Sequence, residues 1–437
     1  MSEDTQQRRW YRRMVLSATA ASLVGLAGCS STGGQGDSPE TSSPDSEENS
    51  TDTASSGTDT TTEGSDEPPA PYQNDIGIIP GHLDGNSNKY TAEYSGPGSD
   101  ATELWTASIS SYGNPQSLVA YNGQVTISGQ TPSEGTGMRS FDGTGDRLWE
   151  RDLNYDLYPA SEETLIGADG NEIIGLSTAD GSRQFLHSTP DLEGSRTYMP
   201  VIDGQTLYYR ASEAASSEET IAAVNAQEGN VVNRTTVSGE TTGIFTDLTG
   251  TLVGDRLISY GSPSTVLDLN DLSKQATISL GVSSIEVYKT TIAAVGDMLY
   301  LHSTPDGLFA YDLNAGELRW SNTEIYNGTA VRAAIADESS VYLVRPQSIL
   351  AYSASDGSKQ WEAPLTNQIS TLSYTRTPVA IGSESMYVGL GNGNISILNT
   401  EDGQQTGRIT DTGGVIPTVV GNRLYTLGDD LTVYGPA

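Results

Sequence analysis

The phrase AYDLNAGELRW at residues 310–320 reads as a short strand, a polar turn holding one glycine, and a second strand that ends in tryptophan. It returns as AYSASDGSKQW at 351–361 and, one residue shorter, as SFDGTGDRLW at 140–149. Such repetition constrains a fold more than composition does, because each unit must be a module that buries its faces against copies of itself. Seven copies carry a following strand, beginning at Met138, Ile173, Ile221, Thr265, Leu308, Ile349 and Asn394, while the eighth, LTVYG from Leu431, has none after it. The residue before each turn (Phe141, Leu176, Val224, Leu267, Tyr311, Tyr352, Leu398 and Tyr434) marks a period of about 42, the length of a four-stranded propeller blade. Helical solenoids share that length, but here β-rich runs alternate with Gly, Asp, Asn and Ser turns and no helical period appears.

Two further strands precede the phrase in each unit. GDMLYLHST (296–304), SSVYLVRP (339–346), SESMYVGLG (383–391) and GNRLYTLGD (421–429) are polar turns leading into apolar strands with a recurring Tyr. Ahead of them lie runs such as YKTTIAAV and RTPVAIG, whose small and β-branched residues suit an innermost strand where blades converge. The eighth unit lacks an outer strand, and ELWTASI at 103–109 is an outer-strand sequence without a unit of its own. Pairing the two closes the ring and removes its open edges. The expectation is therefore an all-β, eight-bladed propeller of four-stranded blades over residues 102–437. Trp105, Trp149, Trp320 and Trp361 all fall at one outer-strand position, where a large apolar face can cover the seam between blades. In the turn, Asp or Asn offers an acceptor to nearby N–H groups and Gly takes the positive φ that other residues resist.

The N-terminus has a different character. Four Arg precede a short apolar run ending at Leu26-Ala27-Gly28-Cys29, a signal segment too short and wrongly flanked for a membrane span. Arg12-Arg13 with the following Met-Val-Leu resembles a twin-arginine export signal, and LAGC resembles a lipobox in which Cys29 is lipidated and becomes the new N-terminus. Residues 1–28 are read as the signal peptide and 29–71 as a disordered acidic, Ser/Thr-rich tether that cannot bury enough apolar surface to fold. Residues 72–101 are a lead-in. Export to the outer face of the cytoplasmic membrane, held by lipid, is the expected location. Cys29 is the only cysteine in the chain, so no intramolecular disulfide can form. Sequons stand at Asn49, Asn233, Asn327 and Asn394.

Lys plus Arg number 22 against 56 Asp plus Glu, a formal charge of −34, so nucleic acid phosphates would be repelled. Only four bases are Lys, and this composition resembles that of surface proteins from extreme halophiles. Removing residues 1–28 takes away four Arg and two carboxylates and moves the charge to −36.

The pattern of Ala310, Asp312, Gly316 and Trp320 resembles the repeat of the pyrroloquinoline-quinone (PQQ) dehydrogenase superfamily, over roughly Thr102 to Tyr434. That resemblance implies either of two branches: calcium- and quinone-dependent alcohol dehydrogenases, or BamB-like lipoproteins that bind partners without cofactor or catalysis. The repeat itself is structural and does not choose between them. The enzymes of the superfamily carry adjacent cysteines against the quinone, and this chain has none beyond Cys29. His82, His187 and His302 lie far apart, so no metal-ligand spacing appears. No catalytic residue and no metal site is identified. The leading expectation is a cofactor-free, monomeric ring acting as a binding or assembly scaffold for a protein or cell-surface partner. PQQ with calcium in a dehydrogenase is the alternative, and a polysaccharide-binding or glycan-processing propeller is the third. BamB-like work at an outer membrane presupposes such a membrane. One feature points to a ligand: Arg196, Lys289, Arg332 and Arg376 all stand at or just before an inner strand, where a ring of cations could focus an anion or an acidic partner segment.

Replacing Cys29 with Ser is expected to release the protein into the medium or leave it unprocessed, as read by cell fractionation with precursor and mature forms resolved on a gel. A processed variant that stays on the membrane contradicts the anchor.

Overall fold

The computed structural model describes residues 76–79 (backbone), 94–109, 114–121, 123–131, 135–153, 155–159, 163–169, 172–188, 196–197, 201–203, 206–212, 218–238, 250–253, 255–259, 264–278, 290–303, 307–325, 331–369, 378–412 and 414–437. Among these residues all regular structure is β. The strands form eight antiparallel sheets arranged as an eight-bladed propeller. Blades 1 to 7 span 114–151, 156–188, 196–238, 250–278, 290–322, 333–364 and 379–409. Blade 8 takes three strands from 414–435 and its outer strand from Thr102–Ser108. That outer strand pairs with Asp430–Gly435 from Thr102↔Gly435 to Ser108↔Asp430, which is the closure expected from the sequence. The Thr106 hydroxyl donates to the Thr432 hydroxyl across the join at 3.0 Å.

Each blade is buried on both faces, so its second and third strands are apolar runs with little interruption. Every residue of Ser340–Arg345 in blade 6 is buried. The period-two geometry of a strand then divides them between seams: Val341 and Leu343 pack with Tyr300 and Ala310 of blade 5, while Tyr342 and Val344 pack with Ile381 and Met386 of blade 7.

The repeated turn does what its residues predict. Asp312 Oδ1 accepts from the amides of Asn314 and Ala315, both at 2.8 Å, and Asn399 and Asp142 serve the same purpose in blades 7 and 1. A one-residue register shift beside the tryptophan, between Ala310 and Tyr311 in blade 5 and between Ala351 and Tyr352 in blade 6, bends the outer strand.

At the seams, each tryptophan crosses to the next blade and lies over its turn. The indole N–H of Trp320 donates to the carbonyl of Ala354 at 2.9 Å, that of Trp361 to Thr400 at 3.1 Å, that of Trp149 to Thr178 at 2.8 Å and that of Trp105 to Gly143 at 2.9 Å. The recurring tyrosine, third residue of the second strand in blades 3, 5, 6, 7 and 8, reaches toward the same place in several seams. Tyr300 donates to the same carbonyl that Trp320 uses, while Tyr342 donates to Asp337 Oδ2 at 2.6 Å with its hydroxyl beside the Thr400 carbonyl; their ring centroids lie 6.1 and 5.7 Å from the indoles of Trp320 and Trp361. Phe185 takes the tryptophan's place between blades 2 and 3, against Gly229.

Three seams depart from the rule, and two of them have a filling of their own. Asn233 stands at the tryptophan position of blade 3, across from Ala223. There the turn of blade 4 carries Leu272 instead of glycine, at φ 55°, with its side chain fully buried among Tyr208, Ile221 and Val237. The leucine replaces the missing ring from the other side of the seam at the cost of a left-handed backbone. Between blades 4 and 5 the position holds Ala276, and nothing stands over Gly316. Between blades 7 and 8 it holds Gly407, and the lead-in fills the space. The amide of Ser383 donates to the Tyr94 carbonyl at 2.7 Å, the amide of Gly96 to the Gly421 carbonyl at 3.0 Å, and that of Gly98 to the Tyr387 hydroxyl at 3.0 Å. Sequence reading assigned the lead-in no contacts; the structure makes 94–101 part of a seam, and Ile76–Ile79 adds a fifth strand to blade 1 along Asn114–Tyr121. Of the sequons, Asn394 is buried with its carbonyl oxygen accepting from the Asp411 amide, so its carboxamide is not open to a sugar, and Asn49 and Asn327 lie outside the described residues.

Gly357 and Gly316 separate the two roles of the turn glycine. Both have positive φ, 72° and 68°, but a Cβ at Gly357 would lie 2.5 Å from the Trp320 ring whereas a Cβ at Gly316 meets nothing within 4 Å. Gly316→Ala is expected to cost only the left-handed backbone, about 1–2 kcal/mol. Gly357→Ala is expected to cost a further ~1–3 kcal/mol for displacing the indole. Chemical denaturation checks both, and equal losses would mean that the indole does not clamp the turn.

Candidate functional site

Lys289, Arg376, Cys29, Arg12 and Arg13 lie outside the described residues, and of Arg196 only the backbone is described, in a two-residue strand across from Ser212. Arg332 is therefore the member of the expected cationic ring whose surroundings can be read. It directly precedes the inner strand Ala333–Ala336 of blade 6, half-buried, with its amide donating to the Val344 carbonyl at 2.8 Å. Its Nε is buried and has no hydrogen-bond partner. Among the described residues no carboxylate pairs with it, unlike Arg139, held by Glu150 at 2.8 Å, or Arg319, held by Asp312 at 2.7 Å.

Two nitrogen-bearing side chains stand at the same end of the same seam: Arg345, which the sequence reading passed over, and His302, which it considered only as a metal ligand. Arg345 closes the second strand of blade 6, next in sequence to the residue that holds the Arg332 amide, and is 4% exposed. Its Nη2 donates to the Ile325 carbonyl at 2.9 Å, on the chain arriving from blade 5, while its Nε is buried without a partner. His302, fifth residue of the second strand of blade 5, is 5% exposed, and its Nδ1 is likewise buried and unpartnered. Arg210 occupies the corresponding fifth position in blade 3 and is buried too. Burial, helped by the positive charge of Arg345, pushes the His302 imidazole down to about 4. His187 sits half-buried against the Tyr209 hydroxyl at 3.4 Å, and burial lowers it as well.

Trp105, Trp149, Trp320 and Trp361 each lie at a seam with the indole N–H bonded to the next blade's turn. The inner-strand side chains that the structure describes are aliphatic apart from Thr418, as in Leu118–Ala120, Ala333–Ala336, Val379–Ile381 and 416–420. Among the described residues no group of three or more His, Cys, Asp or Glu side chains could hold a metal ion. The site can thus offer N–H donors, positive charge and a neutral imidazole.

A family model described as outer membrane protein assembly factor BamB matches residues 98–322 and 286–414. Among solved structures, BamB from Moraxella catarrhalis is 16% identical, covering 77% of this chain and 97% of its own, with a TM-score of 0.50. The quinohemoprotein alcohol dehydrogenase from Comamonas testosteroni is 12% identical, covering 82% of this chain and 80% of its own, with a TM-score of 0.56. A computationally designed protein, Ika8, is 11% identical over 78% of this chain and all of its own, also at 0.56. At these identities the likeness is one of fold. No curated protein matches the chain in sequence.

An imidazole that stays neutral in the fold down to about pH 4 but titrates near 6.5 when unfolded stabilises the protein fully above pH 6.5 and loses that contribution as pH falls toward 4. Between pH 7 and pH 4.5 the wild type is expected to lose about 2–3 kcal/mol more than His302→Gln. Denaturant unfolding at the two pH values, in buffer free of carboxylate salts, measures it; parallel losses would show that His302 is not the group titrating.

Proposed function

Since the chain belongs to the family described as outer membrane protein assembly factor BamB, a branch of the PQQ-repeat propellers, we propose that it is a non-catalytic binding or assembly scaffold, exported and held at the outer face of the cytoplasmic membrane by lipid on Cys29. The observation that carries the reading is the donor set of the inner strands. A calcium-bound quinone needs carboxylate and amide oxygens for the metal and flat side chains against its ring. The described inner-strand side chains are aliphatic apart from Thr418, and every described tryptophan is committed to a seam. PQQ and calcium do not fit these residues.

As a scaffold, the ring presents to its partner whatever the loops at its ends carry. In a chain with a formal charge of −34, inner-strand cations are the exception, so an acidic segment or a small anion is the chemistry they would favour. Arg196, Lys289, Arg332 and Arg376 are proposed to serve that role. The tether, 29–71, would hold the ring away from the bilayer.

The mature protein incubated with PQQ, calcium and an alcohol is expected to reduce no redox dye and to show no thermal shift. Cross-linking of the intact lipoprotein in its own membranes is expected to yield a discrete protein adduct that Arg332→Gln with Arg376→Gln weakens. Alcohol-dependent dye reduction would overturn the reading in favour of a dehydrogenase, and retention on a polysaccharide matrix without any adduct would favour a glycan-binding propeller.

A further inference from the structure

Among the described residues, the charges in the seam between blades 5 and 6 do not balance. The Arg345 guanidinium is buried and donates to one carbonyl, that of Ile325. Arg332 approaches the same strand end through its amide bond to Val344. His302 reaches that end from blade 5, one residue short of its strand's last residue, Ser303. Each leaves one ring or guanidinium nitrogen buried and unpartnered: Nε of Arg345, Nε of Arg332 and Nδ1 of His302. Among the described residues no carboxylate is paired with any of the three, although carboxylates outnumber Lys and Arg by 34 in the chain. A buried cation without a counter-charge costs several kcal/mol. The chain holds two guanidiniums in one seam and keeps the neighbouring imidazole neutral.

We infer that Arg345, Arg332 and His302 form a binding site for a single small carboxylate at the blade 5–blade 6 seam. The Nε and Nη2 edge of a guanidinium presents two parallel N–H groups, the geometry that a carboxylate accepts and a spherical halide does not match. In Arg345 the bond from Nη2 to the Ile325 carbonyl fixes the guanidinium and leaves its Nε–H for a ligand, so the donor is oriented before a ligand arrives. Arg332, half-exposed, adds a second charge on the solvent side, and His302 in its Nδ1–H tautomer adds a donor from the opposite blade. Burial limits the ligand to something the size of formate or acetate, or to the tip of an Asp or Glu side chain inserted by a partner. A bound carboxylate would also cement the seam, since its donors come from both blades. The inference shares Arg332 with the proposed scaffold role but does not depend on it, because Arg345 and His302 belong to neither the cationic ring nor any quinone chemistry.

The test follows the melting temperature of the mature protein in sodium formate against sodium chloride at equal ionic strength, with a short poly-aspartate peptide as a separate arm. Formate is expected to raise the melting temperature saturably above the chloride reference, as a ligand of the folded state does. Because Arg345→Met removes a buried group and can fail to fold, the deciding variants are Arg332→Gln and His302→Gln. Each is expected to weaken the apparent formate affinity by roughly tenfold or more, as loss of one charge-assisted donor would. In the wild type, the His302 imidazole followed by NMR is expected to titrate at higher pH with formate than without. A shift from formate alone identifies a free ion as the ligand, and a shift from the peptide alone identifies a partner's side chain. Equal melting in formate and chloride with no peptide effect, or a formate effect undiminished in both variants, would overturn the site. Dye reduction with PQQ would overturn the scaffold role and leave this result untouched.

Discussion

An indole laid over the next blade's turn is the contact on which the ring depends. It combines three requirements at one point: a large apolar face to close the seam, an N–H aimed at the turn's carbonyl, and a glycine beneath, since no other residue leaves room for the ring. A twisted four-stranded sheet has two apolar faces and cannot stand alone, so every blade needs packing on both sides, and the indole supplies it in four of the eight seams. Between blades 5 and 6 the tyrosine of the second strand strengthens it by bonding the same carbonyl, which ties a strand near the axis and a strand at the rim of one blade to a single atom of the next.

This explains why so much of the fold could be read from residue order. Tryptophan, glycine and the turn Asp or Asn must keep fixed spacing to meet across a seam, so they mark the period even where other positions vary. Ring closure was legible for the same reason, because Trp105 in the first ordered outer strand has the partner turn of blade 1 waiting for it. What escaped the pattern were the exceptions. Leu272 stands where the turn calls for glycine, and only the packing shows that it repays the strain by filling the space opposite Asn233. The contacts of 94–101 have no repeat to announce them, being made by main-chain atoms of an irregular segment.

The candidate site was less visible, for a physical reason. Sequence reading looked for cations on the inner strands, and Arg332 is where that search expected it. Arg345 and His302 sit within otherwise apolar second strands, where alternation assigns them to the core and gives no sign that their polar atoms lack partners. Whether a buried polar atom is satisfied depends on what the neighbouring blade supplies, and that is a property of three dimensions. The same limit applies to the choice between scaffold and dehydrogenase, since the repeat is used up in holding blades together and says nothing about the loops.

The last blade is built from both ends of the ring, with Thr106 and Thr432 hydrogen-bonded across 326 positions of sequence. Its outer strand precedes the other seven blades in the chain and its other three strands follow them, so the circle cannot lock until every blade has been made. Pairing across so long a separation is slow, and until it happens blade 8 exposes an unpaired edge. Closing the ring is thus the last step in building it, and the same pair of strands that finishes the fold is the one whose separation would open it.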